Sequence, residues 1–236
     1  MLWDVDFTLI DSHGSGFRLY EIALRDMYGL ELRALPRAPG SFAGRTDTAI
    51  ALEILTLAGV PDPPSQLRRF QDLLESLAPA HAEDIRLNGR VLPGAAETVA
   101  LLAAGLRGQP VVQSLLTGNL PELARMKLAA LGLTDHLDLS IGGYGDVSAV
   151  RADLVDVARS RATARHGGDF SGRLTVLVGD TPDDVKAALD SDASIVAVAT
   201  GQFGAAELTQ AGAHAVLPDL ADTAAAVSAI ISAPSA

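Results

Sequence analysis

The chain contains no cysteine and few aromatic residues. Without cysteine, disulfide scaffolds, thiolate zinc sites and cysteine nucleophiles are excluded. Because the 236 residues include only six phenylalanines, three tyrosines and one tryptophan, leucine, valine, isoleucine and alanine must build most of the core. With 48% hydrophobic and 20% charged residues, the composition is that of a folded protein.

Positive charge and long apolar runs are also scarce. Lys and Arg number 18 against 29 Asp and Glu, a net charge of −11, whereas nucleic acid binding needs clustered basic groups. No long apolar run lacks charge or Gly/Pro punctuation, so no membrane span is expected. Acids at positions 4 and 6 argue against a signal peptide. We expect a cytoplasmic monomer or homodimer. Because the predicted first strand begins at residue 1, it stays open whether the native chain starts further upstream.

Apolar strands alternate with helical patterns along most of the chain. Strand-like segments are residues 1–5, 110–116, 139–141, 174–178 and 194–199, with a weaker one at 215–217. Helical patterns cover residues 95–104, 122–131, 151–164, 183–189 and 205–211, and an alanine-rich final helix at 221–236. This alternation predicts an α/β fold with a doubly wound, mostly parallel Rossmann-like sheet, which binds ligands beyond the carboxyl ends of its strands.

Residues 13–87 interrupt the alternation. They show no strand pattern, and helical patterns at 16–28, 46–57 and 64–79 are separated by proline and glycine. We expect an α/β core domain formed by residues 1–12 and 88–236, with an inserted α-helical cap domain formed by residues 13–87. The cap is expected to hinge at 11–14 and 88–94 and to close over the site.

Two carboxylates, Asp4 and Asp6, lie two residues apart at the end of the first strand. If the strand continues, both point to one face, where they repel each other and lose hydration. A divalent cation relieves both problems, and Mg²⁺ prefers such oxygen ligands. The alternative is a solvated, aspartate-rich turn.

The second strand end carries Thr117-Gly118-Asn119 directly before a helix. Backbone N–H groups at a helix start and a threonine hydroxyl favour an anion such as phosphate. Ordinary capping is the alternative, with Asn119 as N-cap and Glu122 as its capping-box partner. The two interpretations are compatible.

Two basic residues, Lys127 and Arg151, compete for the place beside this anion. Lys127 is expected about two turns into the helix after Thr117, which predicts that it lies away from the strand end. Arg151 follows the predicted strand at 139–141 through a turn and begins the next helix, so it can reach back. The sequence therefore favours Arg151.

The fourth strand end reads Gly179-Asp180-Thr181-Pro182-Asp183-Asp184. Helix capping explains Thr181 as N-cap, Pro182 at the first helical position and the two acids that follow. Capping does not explain Asp180 at the strand tip, which would complete a metal site with Asp4.

These motifs together resemble the haloacid dehalogenase-like hydrolase superfamily, and within it the phosphoglycolate phosphatase-like group with a helical cap. The resemblance covers essentially the whole chain. It is most specific at Asp4-x-Asp6-x-Thr8 and at Gly179-Asp180-Thr181-Pro182-x-Asp184.

The resemblance implies a role for each of these positions. Asp4 would be the nucleophile, and Asp6 the general acid and base that also binds Mg²⁺ through its backbone carbonyl. Thr117 would hold the phosphoryl group, and Arg151 would replace the usual lysine. Asp180 would ligate Mg²⁺, and Asp184 would support the metal through water. Substrate contacts are expected from Thr8, Gly118 and Asn119.

Substrate specificity is expected from the cap, at residues 44–47, and from the returning loop at 92–94. Arg45 could bind a substrate carboxylate or a second phosphate in bidentate fashion. The alternative is a cap-surface arginine paired with Asp47. His13, just past the first motif, is better explained as a solvated loop histidine than as a substrate ligand.

The implied function is a Mg²⁺-dependent phosphatase that hydrolyses a small phosphorylated metabolite, a phosphate monoester, through an aspartyl-phosphate. The alternatives are a phosphosugar mutase of the same superfamily and a catalytically weak phospho-ligand-binding homologue. A haloacid dehalogenase has no need of Asp6, and a phosphonatase needs a cap lysine, which residues 13–87 lack. A receiver domain is about half this length and has no cap.

Overall fold

The computed structural model describes residues 1–105 and 111–233. Its strands are β1 (Leu2–Trp3), β2 (Ile10–Asp11), β3 (Arg90–Val91), β4 (Ser114–Leu115), β5 (Val176–Gly179), β6 (Ser194–Val198) and β7 (Ala215–Leu217). Five of them form a parallel sheet in the order β4-β1-β5-β6-β7, and β2 pairs with β3 antiparallel. The predicted doubly wound, mostly parallel sheet is confirmed.

Helices cover both faces of the sheet. They are α1 (Ser15–Tyr28), α2 (Asp47–Leu57), α3 (Pro63–Asn88), α4 (Ala95–Ala103), α5 (Pro121–Ala130), α6 (Arg151–His166), α7 (Pro182–Asp190), α8 (Ala205–Gln210) and α9 (Thr223–Ser232). Successive strand residues face opposite layers, as strand geometry requires. Trp3 packs in the cluster that includes α4 and α9, whereas Leu2 packs in the cluster that includes α6 and α7. In the described part of the chain, no helix has both the length and the apolarity to cross a membrane.

Several predicted boundaries are wrong. Residues 139–141 form a turn, and a single parallel bridge between Leu116 and Gly143 takes the place of that strand. The Asp138 carboxylate accepts a hydrogen bond from the backbone N–H of Ser140 at 3.1 Å, a local turn that competes with an extended strand. The first strand is shorter than predicted. Residue 110 of a predicted strand and residues 234–236 of the predicted last helix lie outside the described residues.

The segment between β2 and β3 is helical, as predicted. It contains α1, α2, α3 and a short 3₁₀ turn at Leu32–Ala34. The expected end of the third helix near Pro79 is wrong, because α3 continues to Asn88. Buried Ala78 and Ile85 on either side of the proline anchor the helix, and this packing outweighs one missing backbone hydrogen bond.

Helix α5 belongs to two hydrophobic clusters at once. Its first turn places Leu123, together with the preceding Leu120, in the core of the helical insertion beside Tyr20. Its other face places Ala124 and Leu128 in the core beneath the sheet. The insertion therefore packs against the α/β part of the chain through this helix, while β2 and β3 carry the chain into and out of it.

Candidate active site

Three adjacent strands of the parallel sheet place polar side chains at their carboxyl ends. Asp4 follows β1, Thr117 follows β4 and Asp180 follows β5, and all three side chains are buried. They line a cavity of about 620 Å³ between the sheet edge and the helical insertion. We call Asp4, Asp6, Asp180, Lys127 and Arg151 the charged floor of this cavity.

Carboxylate oxygens of Asp4, Asp180 and Asp184 lie within 4.8 Å of one another. Burial raises the pKa of Asp180 to about 9 and that of Asp4 to about 7, and repulsion from neighbouring carboxylates adds to both shifts. Thr8 donates to Asp180 at 3.3 Å. A hard cation would offset the repulsion and favour the charged form of both carboxylates, and the donor set, which is entirely oxygen, suits such a cation.

Arg151 lies between two of these carboxylates. Its Nη2 atom is 2.8 Å from Asp4 and 2.7 Å from Asp184, and the side chain is 7% exposed. Burial opposes its charge, but Asp184 and Asp4 outweigh burial and raise the pKa of the Arg151 guanidinium. Its other terminal nitrogen donates to the backbone carbonyl of Gly44 in the insertion at 2.9 Å. One side chain therefore links the sheet edge to the insertion.

Asp6 is held by donors from three directions. Lys127 Nζ contacts one carboxylate oxygen at 2.6 Å, and Asn119 Nδ2 donates to the same oxygen at 2.8 Å. The Ser12 hydroxyl donates to the other oxygen at 2.6 Å. Burial would raise the pKa of Asp6, but Lys127, Ser12 and Asn119 together lower it. In this arrangement Asp6 is a carboxylate.

The prediction that Lys127 is remote from the site is wrong, because its buried ammonium group lies on the charged floor. The prediction rests on the distance from Thr117 to Lys127 along the helix axis. However, α5 begins only at Pro121, and helical side chains point toward the N-terminus of their helix. The four-carbon chain of Lys127 therefore reaches back to Asn119 Oδ1, at 2.7 Å. The sequence does not predict this ion pair between Lys127 and Asp6, which places a cation beside the first motif.

The turn after β4 does not cap α5 in the predicted way. The N-cap residue of α5 is Leu120, and Asn119 turns toward Asp6 and Lys127 instead of pairing with Glu122. Thr117 Oγ1 accepts from the Asn119 side chain at 2.8 Å and from its backbone N–H at 3.3 Å. The capping alternative is therefore wrong for this turn, and Asn119 aligns the charged floor.

The turn after β5 does form a capping box. The Thr181 hydroxyl accepts from the backbone N–H of Asp184 at 3.2 Å, and Asp184 Oδ2 accepts from the backbone N–H of Thr181 at 3.1 Å. The same carboxylate group uses its other oxygen to bind Arg151. Capping and charge pairing are thus combined in Asp184.

The start of α2 is attached to the sheet edge by backbone hydrogen bonds. Asp47 N–H donates to the Gly118 carbonyl at 2.7 Å, and Thr48 N–H donates to the Gly145 carbonyl at 3.0 Å. A Cβ atom on Gly118 would lie 1.9 Å from the Arg45 carbonyl oxygen, and one on Gly145 would lie 1.7 Å from the Gly118 carbonyl oxygen. Only glycine permits so close an approach of the two backbones.

The Asp47 carboxylate, within the segment 44–47 that was predicted to determine specificity, makes buried contacts that the sequence does not predict. It accepts from the Leu120 backbone N–H at 2.7 Å and from the Tyr20 hydroxyl at 2.9 Å, and burial raises its pKa to about 6. Arg45 pairs with Glu53 at 2.7 Å, so the alternative interpretation, a pairing of Arg45 with Asp47, is wrong. Arg45 does line the cavity, and its role as a substrate ligand stays a prediction.

The sequence comparison identifies the family. A sequence profile described as haloacid dehalogenase-like hydrolase matches residues 1–189. This chain belongs to the haloacid dehalogenase-like hydrolase family. No curated protein matches it significantly.

Solved structures share the fold of this haloacid dehalogenase-like hydrolase. A hydrolase from Pseudomonas syringae is 22% identical over 97% of each chain, with a TM-score of 0.65. A predicted phosphatase from Clostridium acetobutylicum is 16% identical over 96% of each chain, with a TM-score of 0.66. A hydrolase of the same family from Deinococcus radiodurans R1, solved with bound phosphate and sodium, is 25% identical over 96% of this chain and 93% of its own, with a TM-score of 0.53.

Most of the sequence-predicted residues of this haloacid dehalogenase-like hydrolase meet at one place. The cavity is lined by Asp4, Asp6, Arg45, Thr117, Gly118, Asn119, Arg151 and Asp180. Asp184 lies behind Arg151, and Thr8 donates to Asp180 without lining the cavity. Exposed His13 also lies outside the cavity lining, as its interpretation as a loop residue predicts.

Proposed function

We propose that this hydrolase is a Mg²⁺-dependent phosphatase that hydrolyses a small phosphate monoester through an aspartyl-phosphate on Asp4. The observation that carries the proposal is the position of Asp4. Its carboxylate lies at the carboxyl end of β1, 2.8 Å from the Arg151 guanidinium and beside the Asp180 carboxylate. A phosphate monoester is a substrate that needs such a mixture of a nucleophile, cations and a metal-binding group.

The residues present fit Mg²⁺. The site contains four carboxylates and two cations. The carboxylates belong to Asp4, Asp6, Asp180 and Asp184, and the positive charges of Arg151 and Lys127 balance only two of them. When bound, a divalent cation would offset the remaining negative charge and let a carboxylate approach a phosphate. Asp4, Asp180 and the backbone carbonyl of Asp6 would hold it, with Asp184 supporting it through water.

In the first step, a carboxylate oxygen of Asp4 forms a bond to phosphorus, and the bond from phosphorus to the ester oxygen breaks. Asp6 transfers a proton to the departing alkoxide, which leaves as an alcohol. Thr117 accepts both of its hydrogen bonds from Asn119, so its own hydroxyl proton is left for a phosphoryl oxygen. Arg151 stabilises the negative charge of the transferring group.

In the second step, water attacks the phosphorus atom and Asp6 takes its proton. The bond from phosphorus to Asp4 breaks, which releases phosphate, restores the Asp4 carboxylate and leaves Asp6 protonated for the next cycle. Because Lys127, Ser12 and Asn119 lower the pKa of Asp6, the contacts must rearrange before Asp6 carries a proton. We propose that the helical insertion, residues 13–87, is a cap whose hinge motion at 11–14 supplies that rearrangement, since Ser12 lies in the hinge.

Release of phosphate from p-nitrophenyl phosphate tests the proposal. We expect slow turnover with Mg²⁺ and almost none with EDTA, with recovery when Mg²⁺ is restored. Acid-quenched protein should carry phosphate on Asp4, detectable by mass spectrometry of the peptide that contains it. Equal rates with and without metal, or transfer of the phosphate to a second sugar hydroxyl instead of water, would contradict this function.

A further inference from the structure

Aromatic residues are concentrated at the cavity. Only ten of the 236 residues are Phe, Tyr or Trp. Four of them, Phe7, Phe17, Tyr20 and Phe42, line this one cavity, which includes half of all the phenylalanines. We call these four residues the aromatic wall. A hydrophobic core alone does not require this placement, because Phe7 and Phe17 remain 42% and 46% exposed.

Three rings of the aromatic wall form a connected row. The centroids of Phe17 and Phe42 lie 5.7 Å apart at 42°, and those of Tyr20 and Phe42 lie 5.2 Å apart at 73°. Phe70 extends the row behind Tyr20 at 6.0 Å. Phe42 is thereby held from behind, while Phe17 is 46% exposed. Rings in such tilted arrangements leave a face or an edge open for a further ring.

Phe7 is held in a backbone conformation that favours glycine. Its φ angle is +58°, in the left-handed region, where a bulky side chain is strained. Its N–H donates to the Ile10 carbonyl at 2.7 Å, and its carbonyl accepts from the Thr200 hydroxyl, contacts that glycine would make equally well. Compared with glycine, phenylalanine therefore adds only its ring at this position. Phe7 is 42% exposed and lines the cavity beside Asp6.

The charged groups that the insertion places on the cavity are already paired. Arg45 is bound to Glu53 at 2.7 Å, and Arg33 lies 3.6 Å from Glu21. Asp47 accepts its two hydrogen bonds from Leu120 and Tyr20. A second anionic group on a substrate would compete with Glu53 for Arg45 or bind Arg33, which is 78% exposed, whereas an apolar group meets the aromatic wall directly.

We propose that the alcohol part of the substrate carries an aromatic ring, which lies against Phe7, Phe17 and Phe42 while the phosphate lies on the charged floor. This inference rests on the proposed phosphatase function and adds the class of leaving group. The cavity of about 620 Å³ extends well beyond a phosphate group, so it has room for a ring. A glycolate or a sugar would leave its polar groups against apolar side chains, which costs binding free energy.

A set of primary-alcohol phosphates tests the inference without the bias of an activated phenol. We expect kcat/KM for 2-phenylethyl phosphate to exceed that for 2-cyclohexylethyl phosphate by about 3-fold or more. It should exceed the value for phosphoglycolate by roughly 100-fold. A cyclohexyl compound that is hydrolysed as well as the phenyl compound would overturn the aromatic claim, and so would a preference for phosphoglycolate.

Variants of the aromatic wall locate the effect. Phe17→Ala removes a half-exposed ring, and we expect it to raise KM for 2-phenylethyl phosphate about 3- to 10-fold with little change in kcat. Phe42→Leu should act in the same direction. The matched control is Phe170→Ala, outside the cavity lining, which should leave KM unchanged. Equal KM values in wild type, Phe17→Ala and Phe42→Leu would overturn the proposal.

A binding measurement separates this inference from the phosphatase function. Calorimetric titration with 2-phenylethylphosphonate and with methylphosphonate, both in Mg²⁺, reports ring binding without turnover. If no ester is hydrolysed, the proposed function fails. Tighter binding of the phenyl phosphonate, lost in Phe17→Ala, would then still support an aromatic ligand, and equal affinities for the two phosphonates would overturn it.

Discussion

The charged floor and the aromatic wall of the cavity are built in opposite ways. The floor comes from the ends of adjacent parallel strands and from residues of α5 and α6, and it combines buried acids with two cations. The wall comes mainly from the helical insertion and is apolar. The placement of charge thus depends on the strand ends and on α5 and α6, whereas the part of the cavity that would meet the proposed leaving group can vary with the insertion.

The largest expected effect is on the floor. Asp4→Asn removes the proposed nucleophile while preserving its size, so turnover should fall by roughly 10³-fold or more, the scale seen when a catalytic nucleophile is removed. The phosphoenzyme should disappear with it, as judged by mass spectrometry. Asp26→Asn, an exposed acid of α1, is the control and should behave as wild type. Residual phosphoenzyme in Asp4→Asn would mean that another residue is the nucleophile.

Lys127→Met should give the next largest loss. It removes the cation 2.6 Å from Asp6 and leaves that carboxylate without its charge partner. We expect turnover to fall about 100-fold, within the roughly 10²–10⁴-fold that acid–base catalysis contributes. The control is Lys186→Met, which breaks an exposed helix ion pair with Asp190. If both variants have wild-type turnover, Lys127 has no part in the chemistry.

Gly118→Ala tests the close backbone contact between the sheet edge, which carries the charged floor, and the helical insertion, which carries most of the aromatic wall. The new methyl group would lie 1.9 Å from the Arg45 carbonyl oxygen, so the loop before α2 must move away from the sheet edge. We expect kcat/KM to fall about tenfold, within the 10²-fold that a displacement of about 1 Å can cost. In Gly204→Ala the methyl group meets only the Glu207 carboxylate at 3.7 Å, and steady-state kinetics should be unchanged.

Arg151→Lys should have the smallest effect. The positive charge remains beside Asp4 and Asp184, but a single ammonium group cannot also reach the Gly44 carbonyl that the arginine fork contacts. Loss of one hydrogen bond, worth about 0.5–1.5 kcal/mol, predicts a decrease in kcat/KM of about 2- to 10-fold. Arg151→Ala is the comparison and should be far more damaging, so a lysine variant as inactive as the alanine variant would contradict this account.

The floor was largely predictable because its determinants are local. A buried strand that ends in Asp4 or Asp180 places the acid at the sheet edge, and the Thr181 capping box follows from helix chemistry. The predicted position of Lys127 is wrong because a distance measured along the helix axis ignores the direction of the side chain, which points toward the N-terminus of α5. The strand at 139–141 was lost to the turn at Asp138, a local contact that apolar composition does not reveal.

The wall was not predictable in the same way. Phe17 lies on α1 and Phe42 in the loop before α2, and only the packing of the insertion brings their rings together. Asp47 is similar, because its partners Tyr20 and Leu120 are distant in sequence. Its sequence context, Gly44-Arg45-Thr46-Asp47, marked the loop but did not indicate which of its side chains would be buried.

Helix α5, with its two hydrophobic faces, determines the resting state of the enzyme. Swinging the insertion away from the sheet would expose Leu120 and Leu123 to water and break the backbone bonds at Gly118 and Gly145. Under the hinge motion that we propose, both costs favour the closed arrangement, in which Asp4 is only 6% exposed, and substrate would reach Asp4 during excursions from it. At low substrate concentration the frequency of those excursions, rather than the phosphoryl transfer itself, would then limit the rate of capture.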